Sequence, residues 1–267
     1  MDTLYHETII NKAENPWLVF IHGAGGGINT WKYQSGHFAG RFNLLLMDLR
    51  DHGRSKDIQP HRKQYTFKLI CEDILRLLDQ LYISEAYFMS LSLGSMVLQK
   101  LAVMRPGIMK GAVIAGGLFH VNWKIMAFAH TANFFTNFLP YRWMYHLFSR
   151  LVMPRANHTA SRQIFIEQSR KLTSEEYDRW VTLYRDFRKV LADYYHQELS
   201  YPLLVVMGGE DYIFLQAAKR YVRTQTQARF HVIEDCGHIC NVEKPQEFNK
   251  VASDFLFGLN AHAFSDI

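Results

Sequence analysis

Six short apolar runs rich in strand-forming residues punctuate this sequence: "PWLVFIHG" (16–23), "NLLLMDL" (43–49), "EAYFMS" (85–90), "GAVIAGG" (111–117), "YPLLVVMGG" (201–209) and "ARFHVIED" (228–235). Their hydrophobicity is continuous rather than alternating, which is the pattern of strands covered on both faces, as in a parallel sheet. Helix-period segments lie between several of them. "TFKLICEDILRLLDQL" (66–81) carries Leu69, Ile70, Ile74, Leu77, Leu78 and Leu81 on one face. "SMVLQKLAVM" (95–104) ends before Arg105-Pro106, where a helix stops because the residue before proline is driven out of the helical region. Strand and helix in alternation predict a doubly wound α/β sheet. A chain of 267 residues, 48% of them hydrophobic, can bury the core that one such domain needs.

From about 118 to 198 the rhythm changes. No strand pattern occurs, and a capping box at Thr173 and Glu176 opens the long helical stretch "YDRWVTLYRDFRKVLADYY". The organisation expected is a core of residues 1–117 and 199–267, with residues 118–198 inserted as a helical cap. The first part of that insertion holds ten aromatics: Phe119, Trp123, Phe128, Phe134, Phe135, Phe138, Tyr141, Trp143, Tyr145 and Phe148. They predict a cap with an apolar inner face, although aromatics of this kind also serve simply to pack cap helices on the sheet. Met96, Met104 and Met126 are read as core.

Composition excludes several classes of function. Thirty basic residues against 25 acidic give a formal charge of +5, with no block of like charges to form a basic arm, so nucleic acid is not an expected partner. "MDTLYHETII" lacks the basic-then-apolar start of a signal peptide, and no apolar run of about 18 residues is present to span a bilayer. The location expected is the cytoplasm. Cys71, Cys236 and Cys240 are too few for a disulfide framework and lack a second pair for structural zinc, so they read as free thiols.

The stretch "SLSLGS" (90–95) follows the third apolar run directly. A serine nucleophile must stand exposed at the carboxyl end of a strand, which a sharp strand-to-helix turn achieves. Such a turn crowds the residues two before and two after the nucleophile. Ser92 has Ser90 and Gly94 there, whereas Ser90 has Phe88 and Ser95 has Leu93 two before them. Ser92 is therefore the candidate nucleophile, against the plain reading of an inert turn.

A serine hydroxyl needs a histidine base, and that histidine needs a carboxylate to hold its tautomer. His238 lies in a Gly-His turn after the last apolar run, which brings it to the same sheet edge as Ser92. Asp211 in "VVMGGEDYIF", three residues after Gly208, is the preferred carboxylate, with Glu210 and Asp235 as rivals. Two backbone N–H groups must also receive the oxyanion of a tetrahedral intermediate. Leu93, next after the nucleophile, supplies one; Ala24 in "FIHGAGGG" (20–27) supplies the other, with His22 bracing that loop. The glycine cluster does not fit nucleotide binding, because Ile28 stands where the third glycine of a dinucleotide fingerprint would be and no Gly-Lys-Ser/Thr follows.

Taken in order, "HGAGGG", "MDLRDHGRS", "SLSLGS", "GGEDYIF" and "GHICNVEKPQEF" resemble the α/β-hydrolase superfamily over nearly the whole chain, from about 17 to 257. The resemblance implies the α/β-hydrolase fold: a mostly parallel central sheet flanked by helices, with its insertion between sheet strands 6 and 7. In that family the turn after the fourth strand usually reads Asp-x-Arg-Gly-x-Gly-x-Ser; here Asp51 and His52 replace Gly-x between Arg50 and Gly53. That turn is read as structural. The elbow has Ser90 where glycine is common, and serine rather than aspartate as nucleophile, which argues against the dehalogenase and epoxide hydrolase branches.

The expected activity is that of a carboxylesterase-like serine hydrolase. It would cleave a small or medium apolar ester-type substrate through Ser92, His238 and Asp211 and an acyl-enzyme, with Ala24 and Leu93 as oxyanion hole. No metal and no organic cofactor are expected. The partner is a small apolar acyl compound, and the oligomeric state is left open. Alternatives are a thioesterase, a lactonase or a carbon-carbon bond hydrolase of the same fold, or a non-enzymatic ligand sensor or partner-binding member. A peripheral membrane lipase is a weaker alternative, prompted by Trp123, Phe134, Phe135, Phe138, Arg142 and Arg150.

Overall fold

Each of the six apolar runs becomes a strand in the computed structural model, which describes residues 3–56, 58, 64–120, 126–127, 130–131, 134, 140–195 and 197–263. They are β2 (Trp17–Ile21), β3 (Asn43–Met47), β4 (Ala86–Leu91), β5 (Met109–Ala115), β6 (Leu203–Gly208) and β7 (Ala228–Ile233). A further strand, β1 (His6–Ile9), precedes them and went unseen in the sequence. It pairs antiparallel with β3 at the sheet edge, His6 opposite Met47, and is largely exposed, so it carries no apolar run. All other pairings are parallel, and the sheet order is β1-β3-β2-β4-β5-β6-β7. Both landmarks of the resemblance fall one strand earlier than its count: the Asp48 turn follows β3 and the long insertion follows β5. The reason is that a single antiparallel strand precedes β2 among the described residues.

The helices of the described residues are α1 (Lys32–Phe38), α2 (Phe67–Gln80), α3 (Leu93–Met104), α4 (Tyr141–Val152), α5 (Thr159–Ser169), α6 (Ser174–Val181), α7 (Tyr184–Tyr195), α8 (Leu215–Val222), α9 (Cys240–Glu243) and α10 (Pro245–Ala263). α2 begins where its cap dictates, the Thr66 hydroxyl accepting the Leu69 N–H at 3.2 Å, and it buries Leu69, Ile70, Ile74, Leu77 and Leu78. Between β5 and β6 the regular structure of the described residues is helical. The capping box forms at the start of α6, with Glu176 N–H on the Thr173 hydroxyl and Thr173 N–H on the Glu176 carboxylate. The helical stretch read as one is two: α6 ends at Val181, capped by Thr182, whose hydroxyl bonds back to the Arg179 carbonyl, and α7 starts at Tyr184.

The aromatics of the insertion divide by helical phase. Tyr141 and Tyr145 of α4 are buried and Phe148 is half-buried, while Trp143 is 70% exposed and Phe134 63% exposed, so these two do not contribute to an inner face. Phe119 is buried and stacks on Tyr221 with ring centres 4.6 Å apart. Trp123, Phe128, Phe135 and Phe138 lie outside the described residues. Met96 is fully buried, Met104 packs against the core and Met126 is half-buried. The three cysteines are free and buried, and burial pushes each thiol up. No helix among the described residues is long and apolar enough to cross a membrane.

The chain leaves β2 to one side for β3, then crosses back to β4 and continues outward to β7. The reversal opens a crevice between the carboxyl ends of β2 and β4, the place where open α/β sheets bind ligands. Below it, the turn after β3 is fastened by Arg50, whose guanidinium makes two bonds of 2.7 Å to Asp73 of α2 and a third of 2.9 Å to the Ile58 carbonyl. Both partners are almost fully buried. Removing one member of such a pair strands the other charge out of water, so Asp73→Ala is expected to cost about 3–5 kcal/mol in urea unfolding. Loss below about 1 kcal/mol would mean that the guanidinium finds water instead.

Candidate active site

The candidate nucleophile stands at the tip of a strained turn. β4 ends at Leu91, α3 starts at Leu93, and Ser92 between them has φ 51° and ψ −121°, a conformation rare for any residue with a side chain. The turn presses α3 against β2. A Cβ on Gly94 would lie 2.6 Å from both the Ile21 and His22 carbonyl oxygens, so only glycine fits there. Ser90, the other crowded position, is fully buried.

Two further loops reach the same edge. After β6, the Asp211 carboxylate is fully buried and accepts the Phe214 N–H at 3.0 Å through Oδ1. After β7, His238 is buried with Phe214 beside its ring. The loops meet tightly: a Cβ on Gly208 would stand 2.0 Å from the Gly237 carbonyl. His238 Nδ1 lies 2.7 Å from Asp211 Oδ2 and Nε2 lies 2.8 Å from Ser92 Oγ. With the carboxylate accepting from Nδ1–H, Nε2 is left to accept the serine proton. Ser92, His238 and Asp211, singled out in the sequence, thus form one hydrogen-bonded chain.

The rival carboxylates point elsewhere. Glu210 turns away from His238 toward the insertion, where Asn157 Nδ2 donates to it at 2.8 Å, buried His158 Nε2 lies 2.7 Å away and Arg155 forms an ion pair. The Asn157 contact, reinforced by His158 and Arg155, holds its carboxyl below the usual range. Asp235 is exposed at the end of β7. The insertion therefore grips the residue next to Asp211. It also reaches the residue before His238: a Cβ on Gly237 would lie 2.9 Å from His158 Nε2, and the Gly237 N–H donates to half-buried Glu243. His158 and Glu243 had no signal in the sequence, since their partners are brought near only by the fold.

The loop after β2 supplies the opposite wall. Gly23 packs on the Ser92 turn, and among the described residues neither the Ala24 nor the Leu93 N–H has a protein acceptor. Both residues line a cavity of about 420 Å³ that also contains Ser92 and His238. The brace expected of His22 is present: its Nε2 accepts the Leu49 N–H at 2.9 Å and its Nδ1–H donates to the Gly23 carbonyl at 2.8 Å. A second brace was missed. His52 Nε2 accepts the Gly25 N–H at 3.0 Å while Nδ1–H donates to the Arg50 carbonyl at 2.9 Å. The turn read as structural does hold structure, with Asp48 accepting the Ile28 and Arg54 N–H groups, and it also fixes the residue after Ala24. Burial lowers the pKa of His22, and burial, with the imidazole of His22 adjacent, lowers His52 to about 3. Both rings are neutral, as their acceptor roles require.

Comparison with known proteins agrees with this architecture. The sequence model of the alpha/beta hydrolase family matches residues 18–251. Among curated proteins, 3-oxoadipate enol-lactonase 2 of Acinetobacter baylyi is 24% identical over 260 residues, covering 93% of this chain and 91% of the relative. Epoxide hydrolase 4 of Mus musculus is 20% identical over 275 residues, covering 94% and 76%. Among solved structures, an enol-lactonase from Burkholderia xenovorans superposes with a TM-score of 0.78 at 21% identity, over 95% of this chain and 96% of that one. A structure from a study of carboxylesterases of Nitrososphaera gargenis gives 0.79 at 20% identity, over 97% and 96%. At these identities the likeness to solved structures establishes the fold.

The neutral histidines give stability a pH dependence of definite sign. Unfolded, an imidazole binds a proton below about 6.5; folded, His52 binds none until about 3. Between these values the unfolded state holds more protons, so stability is full above about pH 6.5 and falls as pH drops. His52→Gln is expected to flatten the fall between pH 6 and 4 by about 1.4 kcal/mol per pH unit, measured by urea unfolding at each pH. An unchanged slope would mean that His52 is protonated in the native protein.

Proposed function

The chain belongs to the alpha/beta hydrolase family, and from that premise we propose that it is a serine hydrolase of ester-type substrates acting through Ser92, His238 and Asp211. The observation that carries this reading is the hydrogen-bonded chain from Ser92 Oγ through His238 to buried Asp211. In this reading His238 Nε2 takes the Ser92 proton as Oγ attacks the substrate carbonyl. The imidazolium formed is stabilised by Asp211. The Leu93 and Ala24 N–H groups receive the oxyanion, each donor worth roughly 3 kcal/mol in the transition state. His238 then gives its proton to the leaving oxygen, the carbonyl re-forms, and an acyl group remains on Ser92. Water, deprotonated by the same imidazole, attacks that acyl group and releases the acid. The Ser92 proton leaves with the alcohol, His238 passes the proton it took from water to Ser92 Oγ as the acid departs, and the cycle consumes one water.

Residues 118–198 act as a cap over this site. Met144, Phe148, Val152, Phe165, Trp180 and Phe187 give the cavity an apolar wall, which favours a small or medium acyl compound enclosed from solvent. A lactone is the second reading, favoured by the enol-lactonase relatives. Epoxide opening is disfavoured, because Ser92 stands where that branch has aspartate. A membrane-surface role is the weaker reading: Trp143 and Phe134 are exposed, as it would need, but neither lines the cavity.

A fluorophosphonate probe is expected to label Ser92, located by peptide mass spectrometry, with p-nitrophenyl butyrate hydrolysed in parallel. Ser92→Ala should abolish both while leaving the melting temperature within a few degrees. Labelling without turnover would assign the site to ligand sensing, and no label would end the nucleophile reading. Asp211→Asn is expected to lower kcat by about 10⁴-fold, because the imidazole loses the partner that sets its tautomer. Near-wild-type turnover in Asp211→Asn beside an inactive Glu210→Gln would show that the carboxylate is wrongly assigned.

A further inference from the structure

The cavity has a second polar feature that the reaction above does not use. Tyr145 of α4 and Tyr177 of α6 both line it, with ring centres 5.5 Å apart, and are 7% and 8% exposed. Neither hydroxyl has a hydrogen-bond partner among the described residues. The third tyrosine of the cluster behaves in the ordinary way, Tyr141 donating to the Leu172 carbonyl. Burial pushes the phenol pKa of Tyr145 and Tyr177 up, so both hydroxyls stay protonated and can donate. Neither hydroxyl is sealed in the wall, so both open to the cavity, and a ligand that displaces water there must supply an acceptor or leave the donors unmet at a cost.

Their place relative to the reacting centre is fixed by the glycine loop. A Cβ on Gly25 would lie 3.2 Å from the Tyr145 hydroxyl, and a Cβ on Gly23 would lie 3.2 Å from Ser92 Cβ. The tyrosine hydroxyl and the candidate nucleophile therefore flank the same short loop. The charged residues of the lining, His238 apart, are Lys32 and Glu167, and the Lys32 ammonium lies over the Tyr33 ring at 4.7 Å. An anionic group at the tyrosines would have no adjacent cation, whereas a neutral oxygen would be met by donors.

We propose that Tyr145 and Tyr177 form a second polar subsite of the cavity, which selects ester-type substrates carrying a neutral oxygen acceptor, such as a keto or ether oxygen, away from the scissile carbonyl. This deepens the hydrolase reading and rests on the cavity being the substrate site. Selectivity arises because a plain alkyl chain leaves the two donors unmet, while an oxygen placed along the apolar side chains Met144, Phe148, Val152 and Phe165 is itself unmet.

The test needs no turnover. In the Ser92→Ala protein, dissociation constants are measured by calorimetry for methyl hexanoate and for esters of equal length in which each chain methylene in turn is replaced by an ether oxygen or a carbonyl. At one chain position the ratio of oxygen-bearing to alkyl dissociation constants is expected to rise at least fivefold when Tyr145→Phe or Tyr177→Phe is added, and at other positions to stay flat. Absence of a fivefold change at every position in both variants, or an equal change at all positions, would overturn the subsite. Because binding is read in a protein without the Ser92 hydroxyl, a retained position preference with no probe labelling in the wild type would sink the hydrolase reading and leave the subsite standing. Ester binding too weak to detect would sink the subsite, while labelling of Ser92 in the wild type would leave the hydrolase reading intact.

Discussion

The tight approach of helix α3 to strand β2 at Gly94 is the constraint on which the rest depends. With no room for a Cβ between Gly94 and the carbonyls of Ile21 and His22, the first turn of α3 lies directly beneath the loop that follows β2. Three consequences follow from that one contact. Ser92 is forced into a left-handed conformation that lifts its oxygen out of the sheet. The Leu93 N–H, left without an intrahelical partner because it opens the helix, faces the same space as the Ala24 N–H. The positive end of the helix dipole adds to both. The strain at Ser92 persists because the surrounding parallel strands β2, β4 and β5 are buried on both faces and cannot relax around it.

Two adjacent carboxylates illustrate how environment divides labour. Glu210 and Asp211 are neighbours in the chain, both buried, both charged partners of a histidine. Asp211 faces His238 and orients it. Glu210 faces His158 of the insertion, which also comes close to Glu243 and Gly237. One histidine carried by the insertion thus touches the neighbours of both the acid and the base. The spacing of the proposed triad is set partly by residues that take no part in it, in the way outer contacts orient the groups that react.

Much of this was legible in the sequence where the signal is local. Thr66 starts α2 because its hydroxyl needs only the next turn, and the continuous apolar runs mark β3, β4 and β6, buried throughout, while the run at the far edge, β7, is mostly half-buried. Ser92 stood out because steric crowding acts two residues to either side. The order of turns brought Asp211 and His238 to one edge because parallel strands all end there. What escaped depends on distant partners or on weak local pattern. β1 is an exposed edge strand with no core to pattern it. His52 binds a glycine 27 residues earlier, and His158 a glutamate 52 residues later. The Tyr145 and Tyr177 hydroxyls are notable only for lacking partners, which no sequence displays.

The way the insertion is attached explains why its inner face can be a binding surface rather than mere packing. Its contacts with the sheet domain are of two kinds: apolar packing of Val152, Leu183, Phe187, Val190 and Leu191 into the main core, and polar pins, namely Arg179 with Asp51 at 2.7 Å, Lys56 with Glu176 at 2.9 Å, the Trp180 indole with the Arg50 carbonyl at 3.0 Å, and His158 with Glu210. The Asp51 contact accounts for the departure from the family turn. Aspartate there holds φ 63°, a conformation that favours glycine, and its carboxylate meets an arginine of α6. Backbone strain of roughly 1 kcal/mol is offset by an ion pair that glycine could not make. Apolar packing seats α7 on the sheet domain, while the polar pins fix α6 and the segment between α4 and α5, and the cavity lies open between them. The apolar inner wall is left for a ligand to cover, and its two unpartnered hydroxyls become the features by which one ligand is preferred to another.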